Sequence, residues 1–93
     1  MIFHVEIEVR IPPQVDRETI ERLAKLEHER AAELQKAGKW KHLWRITGRF
    51  ANVSIFEVDS NDELHSILES LPLYPYMVTE VTALSRHPGA ITP

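Results

Sequence analysis

The sequence predicts a small α+β domain in which four strands and two helices run in the order β-α-β-β-α-β. Three patterns carry this. Residues 2–10 alternate strictly, with Phe3, Val5, Ile7 and Val9 on one face and His4, Glu6, Glu8 and Arg10 on the other. That is the period-two signature of a half-buried strand. Residues 16–37 place apolar side chains at helical spacing, and a second, shorter amphipathic stretch follows Ser60-Asn61-Asp62-Glu63 between strand-like runs.

Each element has a local cause. Pro12-Pro13 end the first strand, because proline has no N–H for the ladder. Asp16 suits the N-cap of the long helix, Glu18 lies near the positive end of its dipole, and Gly38 stops it. Residues 42–50 read as a second strand, and a turn through Ala51 leads to a third over 53–58. Ser60 to Glu63 has the capping-box pattern and opens a helix carrying Leu64, Ile67, Leu68 and Leu71. Pro72 and Pro75 break that helix, and residues 76–85 read as a final strand. No linker or shift in composition divides the chain, so residues 1–93 are expected to form a single domain, with 86–93 as its C-terminal tail. This order is that of the ferredoxin-like, split βαβ arrangement: a four-stranded antiparallel sheet with both helices on one face. The other face is left uncovered and is the expected docking place for a second subunit.

Composition narrows the function classes. A chain of 93 residues buries only roughly 60–65% of its unfolded surface, so self-association is a natural way to gain core. A net charge of −3 gives no general attraction to phosphate backbones or anionic membranes, and no nucleic-acid or membrane partner is expected. The absence of cysteine removes disulfides, thiolate metal sites and cysteine nucleophiles together. The sequence shows neither a basic leader with an apolar core nor a membrane-length apolar run, so a cytoplasmic location is expected.

One side chain breaks the pattern of the long helix. At about 100° per residue, Ile20, Leu23, Ala24, Ala31 and Leu34 cluster within roughly 60° of one direction, and Glu27 points about 20° from the centre of that stripe. The other acids of this helix (Glu18, Glu21, Glu29, Glu33) lie on its flanks or back. A carboxylate turned toward an apolar interior loses hydration, and its pKa rises. Such a group can take and return a proton near neutral pH. The competing reading is a Glu paired with a buried cation or facing a subunit interface.

The run Gly38-Lys39-Trp40-Lys41-His42-Leu43-Trp44-Arg45 gathers both tryptophans with four cationic or titratable groups. Indoles make rigid apolar walls and an Arg fork suits a carboxylate, so the run resembles the lining of a pocket for a small organic anion. Packing under a strand start is the plainer account of the tryptophans. Arg45 is different, because a guanidinium within a strand needs an acidic partner or a ligand. Leu71-Pro72-Leu73-Tyr74-Pro75-Tyr76-Met77 is a stiff connection suited to closing a pocket mouth and aiming the Tyr76 hydroxyl inward. No metal site is expected from the five histidines: His28 points about 100° away from Glu27, and no His-x-x-x-His pair occurs. Nucleophile elbows and Gly-rich phosphate loops are absent as well.

The strings Phe3-His4-Val5, Gly38-Lys39-Trp40, His42-Leu43-Trp44-Arg45, Ser60-Asn61-Asp62-Glu63-Leu64-His65, Pro75-Tyr76-Met77 and Arg86-His87-Pro88, together with Glu27 and Asn52, resemble the muconolactone Δ-isomerase family. The resemblance runs from residue 1 to about residue 91. It implies a cofactor-independent enzyme of catechol degradation, in the β-ketoadipate pathway, converting muconolactone to 3-oxoadipate enol-lactone. It also implies a dimeric α+β barrel, with five such dimers in a decamer. On this reading Glu27 is the base and Tyr76 or His42 donates to the dienolate oxygen. Arg45, with Arg86 second, holds the substrate carboxylate, Trp40 and Trp44 wall the pocket, and Asn52 bonds the lactone. Two positions depart from the family pattern. His28 stands where Lys is common and is expected to tune Glu27 with pH, and Val53 replaces a commonly aromatic residue. Two alternatives are a chloromuconolactone dehalogenase and a noncatalytic ligand-binding or assembly protein on the same barrel.

Overall fold

A computed structural model describes residues 1–92. Strand β1 (Ile2–Val9) leads into helix α1 (Arg17–Lys36), the hairpin β2 (Trp40–Arg45) and β3 (Ala51–Glu57), helix α2 (Asn61–Glu69), a 3-10 turn at Tyr74–Tyr76, and strand β4 (Met77–Leu84). The sheet order is β2-β3-β1-β4, with every neighbouring pair antiparallel. The predicted α+β arrangement is therefore the observed one.

The alternation in β1 sets the two faces. Phe3, Val5 and Ile7 are buried beside Phe56 and Ser54 of β3, and this inner face packs on Ala31 and Leu34 of α1 and Leu64, Ile67 and Leu68 of α2. His4, Glu6 and Glu8 share the outer face with Ile55 and Val53, where no helix covers them. Among the described residues no helix is long and apolar enough to cross a membrane.

Both helices start as their capping residues dictate. The Asp16 carboxylate accepts from the Thr19 N–H at 2.7 Å, and Ser60 Oγ accepts from the Glu63 N–H at 3.0 Å. Glu63 reaches back to the Asp59 N–H at 2.8 Å and pairs with Lys39 at 3.2 Å. Ser60→Ala leaves the Glu63 N–H, in the first turn of α2, without its acceptor. It is expected to lower unfolding free energy by about 1 kcal/mol, read from the urea midpoint at unchanged slope.

The hairpin differs from its predicted bounds. β2 runs from Trp40 to Arg45 rather than over 42–50, and β3 begins at Ala51 rather than 53. Residues 46–50 form the connection, closed by Arg49 N–H to Ile46 O at 3.1 Å and Ile46 N–H to Ala51 O at 3.0 Å. Gly48 sits at φ +81°, a conformation glycine adopts without strain. The apolar and β-branched residues Ile46, Thr47 and Phe50 hide this turn from a propensity reading. A second irregularity lies at the start of β2. Trp40 pairs with Phe56 and His42 with Ile55, so one extra residue, Lys41, bulges out between them.

α1 is covered unevenly. Ala31 and Leu34 are buried, whereas Ile20, Leu23 and Ala24 in its first half are only half-buried. The gap between this half of α1 and the inner sheet face is where the chain keeps open space.

Candidate active site

That space is a cavity of about 230 Å³ bounded by α1, the β2–β3 hairpin, the end of β1 and the connection into β4. Its size is below the ~300–1,000 Å³ of drug-sized ligand pockets, which fits a small molecule. Most of the wall is apolar, including Val9, Ala31, Leu43, Phe50, Leu73 and Met77. The polar side chains in it are few: Glu27, His28, Arg45 and Asn52, with the indole of Trp40.

Glu27 projects from the middle of α1 into this wall, as its place in the apolar stripe predicts. Its Oε1 accepts the backbone N–H of Leu73 at 3.0 Å. Among the described residues it forms no ion pair. Burial raises its carboxyl above the ordinary value of 4.5, and the Leu73 N–H and neighbouring His28 pull back without cancelling that rise. One oxygen is thus tethered, and the other is left for chemistry.

Arg45 forms no ion pair among the described residues either. Its guanidinium lies 5.6 Å from the centre of the Phe50 ring and at a long 3.4 Å from the Arg49 carbonyl oxygen. The nearby lysines are occupied by comparison, Lys39 by Glu63 and Lys41 by Glu57 at 3.7 Å. Asn52 Oδ1 accepts the Ser54 hydroxyl at 2.7 Å, which orients its amide nitrogen as a donor.

Four of the residues expected from sequence fall outside this cavity. His42 and Trp44 pair with Ile55 and Val53, so both stand on the outer sheet face, and Trp44 is 69% exposed. The bulge at Lys41 is the cause: in a regular strand Trp40, His42 and Trp44 would share a face, and one extra residue sends the latter two to the other side. Tyr76 precedes Met77, which pairs with Val9 on the inner face, and its ring is not part of the wall. Its backbone is engaged instead, accepting from Arg10 N–H at 2.8 Å and donating to Leu73 O at 2.9 Å. Arg86 lies exposed in the tail, beyond β4 and away from the cavity of its own chain.

Sequence reasoning also missed wall residues. Leu43 shares the inner face with Arg45 by plain alternation and was legible once the strand was placed. Phe50 was hidden by its assignment to the end of a strand. The Leu73 N–H is a backbone donor, and nothing in side-chain chemistry announces it. Among the described residues no three His, Asp or Glu side chains converge as a metal would require.

A profile of the muconolactone delta-isomerase family matches residues 1–90. The chain belongs to the muconolactone isomerase family. It is 48% identical over 91 residues to a muconolactone delta-isomerase of Acinetobacter baylyi, covering 98% of this chain and 95% of that protein. The corresponding Pseudomonas aeruginosa protein is 47% identical over the same shares. A crystal structure of muconolactone isomerase superposes with a TM-score of 0.94 at 46% identity, over 100% of this chain and 97% of that one. The 5-chloro-2-hydroxyhydroquinone dehydrochlorinase of Burkholderia phenoliruptrix shares the fold, with a TM-score of 0.64 at 22% identity over 94% of this chain and 96% of that one. Of the two positions expected to depart from the family pattern, His28 stands in the cavity wall, while Val53 pairs with Glu6 and Trp44 on the outer face.

Proposed function

We propose that the chain is a muconolactone Δ-isomerase that uses Glu27 to move one proton across a single face of the lactone ring. The observation that carries this reading is a half-buried carboxylate whose pKa burial raises, tethered through one oxygen, without an ion-pair partner among the described residues and set in the wall of a mostly apolar cavity. A noncatalytic barrel protein would be expected to pair that acid or fill the space beside it. The dehalogenase reading is not favoured, because the relatives at 47–48% identity bear the isomerase name.

The reaction needs little more than a positioned base. The ionised Glu27 takes the ring proton γ to the lactone carbonyl, and the C–H electron pair becomes the new Cβ–Cγ double bond. The former Cα–Cβ pair shifts toward the carbonyl carbon, and negative charge settles on the carbonyl oxygen. The neutral Glu27 then gives the same proton to Cα as that charge collapses back. Atoms and electrons balance without a redox partner, so no cofactor or metal is assigned. A raised pKa suits both halves, making the carboxylate a better base and keeping the acid a competent donor. Arg45 holds the substrate's carboxymethyl group in a planar fork, and the Asn52 amide bonds the lactone.

Because Glu27 must start ionised, kcat/KM is expected to fall as pH drops through its raised pKa. The acid limb should therefore lie above 4.5, the ordinary carboxyl value. His28→Gln removes the charge that opposes the shift and should move this limb further up; a limb below 4.5 in the unaltered chain would contradict a desolvated base.

The outer sheet face is assigned to a second copy. Ile2, Trp44, Val78 and Leu84 lie exposed on it, at 44%, 69%, 47% and 44%. Face-to-face pairing gives a dimeric barrel, and five dimers the decamer implied for the family, working in the cytoplasm. The deciding experiment is turnover of the purified chain on muconolactone with no added metal or cofactor, followed by ultraviolet absorbance. Absence of isomerisation refutes the reading.

A further inference from the structure

The dienolate places its charge on the lactone carbonyl oxygen, and that oxygen needs a fixed donor in the cavity. Tyr76 and His42 stand elsewhere. Arg45 is given to the carboxylate at the other end of the substrate. The Asn52 amide supplies one donor to the lactone, and one further donor in the wall is without a role. The Trp40 Nε1–H is buried and has no hydrogen-bond partner, the one buried side-chain nitrogen or oxygen in that state among the described residues. A buried indole N–H ordinarily finds an acceptor.

The ring itself is buried in the wall. Trp40 is 3% exposed, its centroid lies 4.7 Å from that of Phe56 at a 31° tilt, and its side chain forms part of the cavity wall. The same bulge that turns Trp44 outward leaves Trp40 inside, at the base of the hairpin that also carries Arg45 and Asn52. We propose that the Trp40 indole N–H is the donor that stabilises the carbonyl oxygen of the dienolate, an assignment that rests on the isomerase reading above. The N–H has almost no accessible surface in this arrangement, so donation to a ligand oxygen requires the ring to turn toward the open space beside it. Indole donates and never accepts, and it does not titrate across the working range. It therefore favours the oxygen as negative charge grows and takes no part in the proton shuttle. This separates it from a His or Tyr donor, whose loss would alter the pH profile.

The test replaces Trp40 in two ways: Trp40→Phe, and Trp40 replaced by benzothienylalanine, which keeps the ring's shape with sulfur in place of N–H. Unaltered protein is assayed first on muconolactone, so failure of the isomerase reading shows there and takes this assignment with it. With the unaltered chain active, both variants are expected to lose on the order of 100-fold in kcat. Their acid limb should stay where it is in the unaltered chain. In the unaltered chain, the Trp40 indole proton resonance should move downfield when the saturated, non-isomerisable lactone acid fills the cavity. Full kcat in the benzothienyl variant overturns the assignment even if Trp40→Phe is impaired, since shape alone would then matter. An indole proton that stays in place at saturating ligand overturns it equally.

Discussion

Glu27→Gln is expected to lose at least ~100-fold in kcat on muconolactone, and up to ~10,000-fold, while KM stays close to that of the unaltered chain. The amide keeps the size of the side chain and an oxygen for the Leu73 N–H, so the tether and the cavity wall survive. What is lost is the ability to take a proton from carbon. An activity within a few-fold of the unaltered chain would remove Glu27 from the mechanism. The same substitution has a second expected result of opposite sign. Burial raises the folded-state pKa of Glu27, so between its unfolded and folded values the folded chain binds more protons than the unfolded one. Its contribution to stability is then fully present below about 4.5 and is lost as pH rises through the raised value. Glu27→Gln escapes that loss. Its melting temperature should exceed that of the unaltered chain at pH 7, and the gap should close as pH falls toward 4.5. A residue whose removal stabilises the fold and abolishes turnover is held in place for chemistry.

Arg45→Ala is expected to raise KM by roughly 10-fold, because the substrate carboxylate then loses the charge-assisted hydrogen bonds of the guanidinium fork. Removing Arg45 breaks no ion pair in the protein, since none is made among the described residues, and the hairpin keeps its backbone ladder. The change should therefore appear in binding while the folded chain melts near its usual temperature. Arg45→Lys should fall between, restoring charge without the planar fork. The decisive comparison is with the lactone lacking its carboxymethyl acid: Arg45→Ala should treat that substrate as the unaltered chain does. A KM unchanged for muconolactone would place the carboxylate elsewhere.

Both expectations start from features legible in the residues and end on ones that are not. Glu27 was marked by angular position alone, because a helix of twenty residues keeps its period whatever packs against it. Arg45 was marked by charge within a strand, and alternation would have placed it beside Leu43. His42 and Trp44 fall outside the cavity for one reason: a single bulged residue reverses the face of everything after it, and Lys41 carries no signature of a bulge. Tyr76 lies outside the wall for a different reason, since its aromatic, proline-flanked neighbourhood speaks of rigidity and says nothing of direction.

The order of elements, their caps, the two faces of β1 and the misplaced acid of α1 were determined by sequence alone, because each depends on side chains a few positions apart on one regular element. The unfilled space beside Glu27, the Leu73 N–H that tethers it, the outward turn of Trp44 and the unpartnered Trp40 N–H were decided only in three dimensions. Those features are residues of packing, left where segments distant in the chain meet imperfectly. Periodicity says which way a side chain points from its own element, and only the assembled core says what, if anything, is there to meet it.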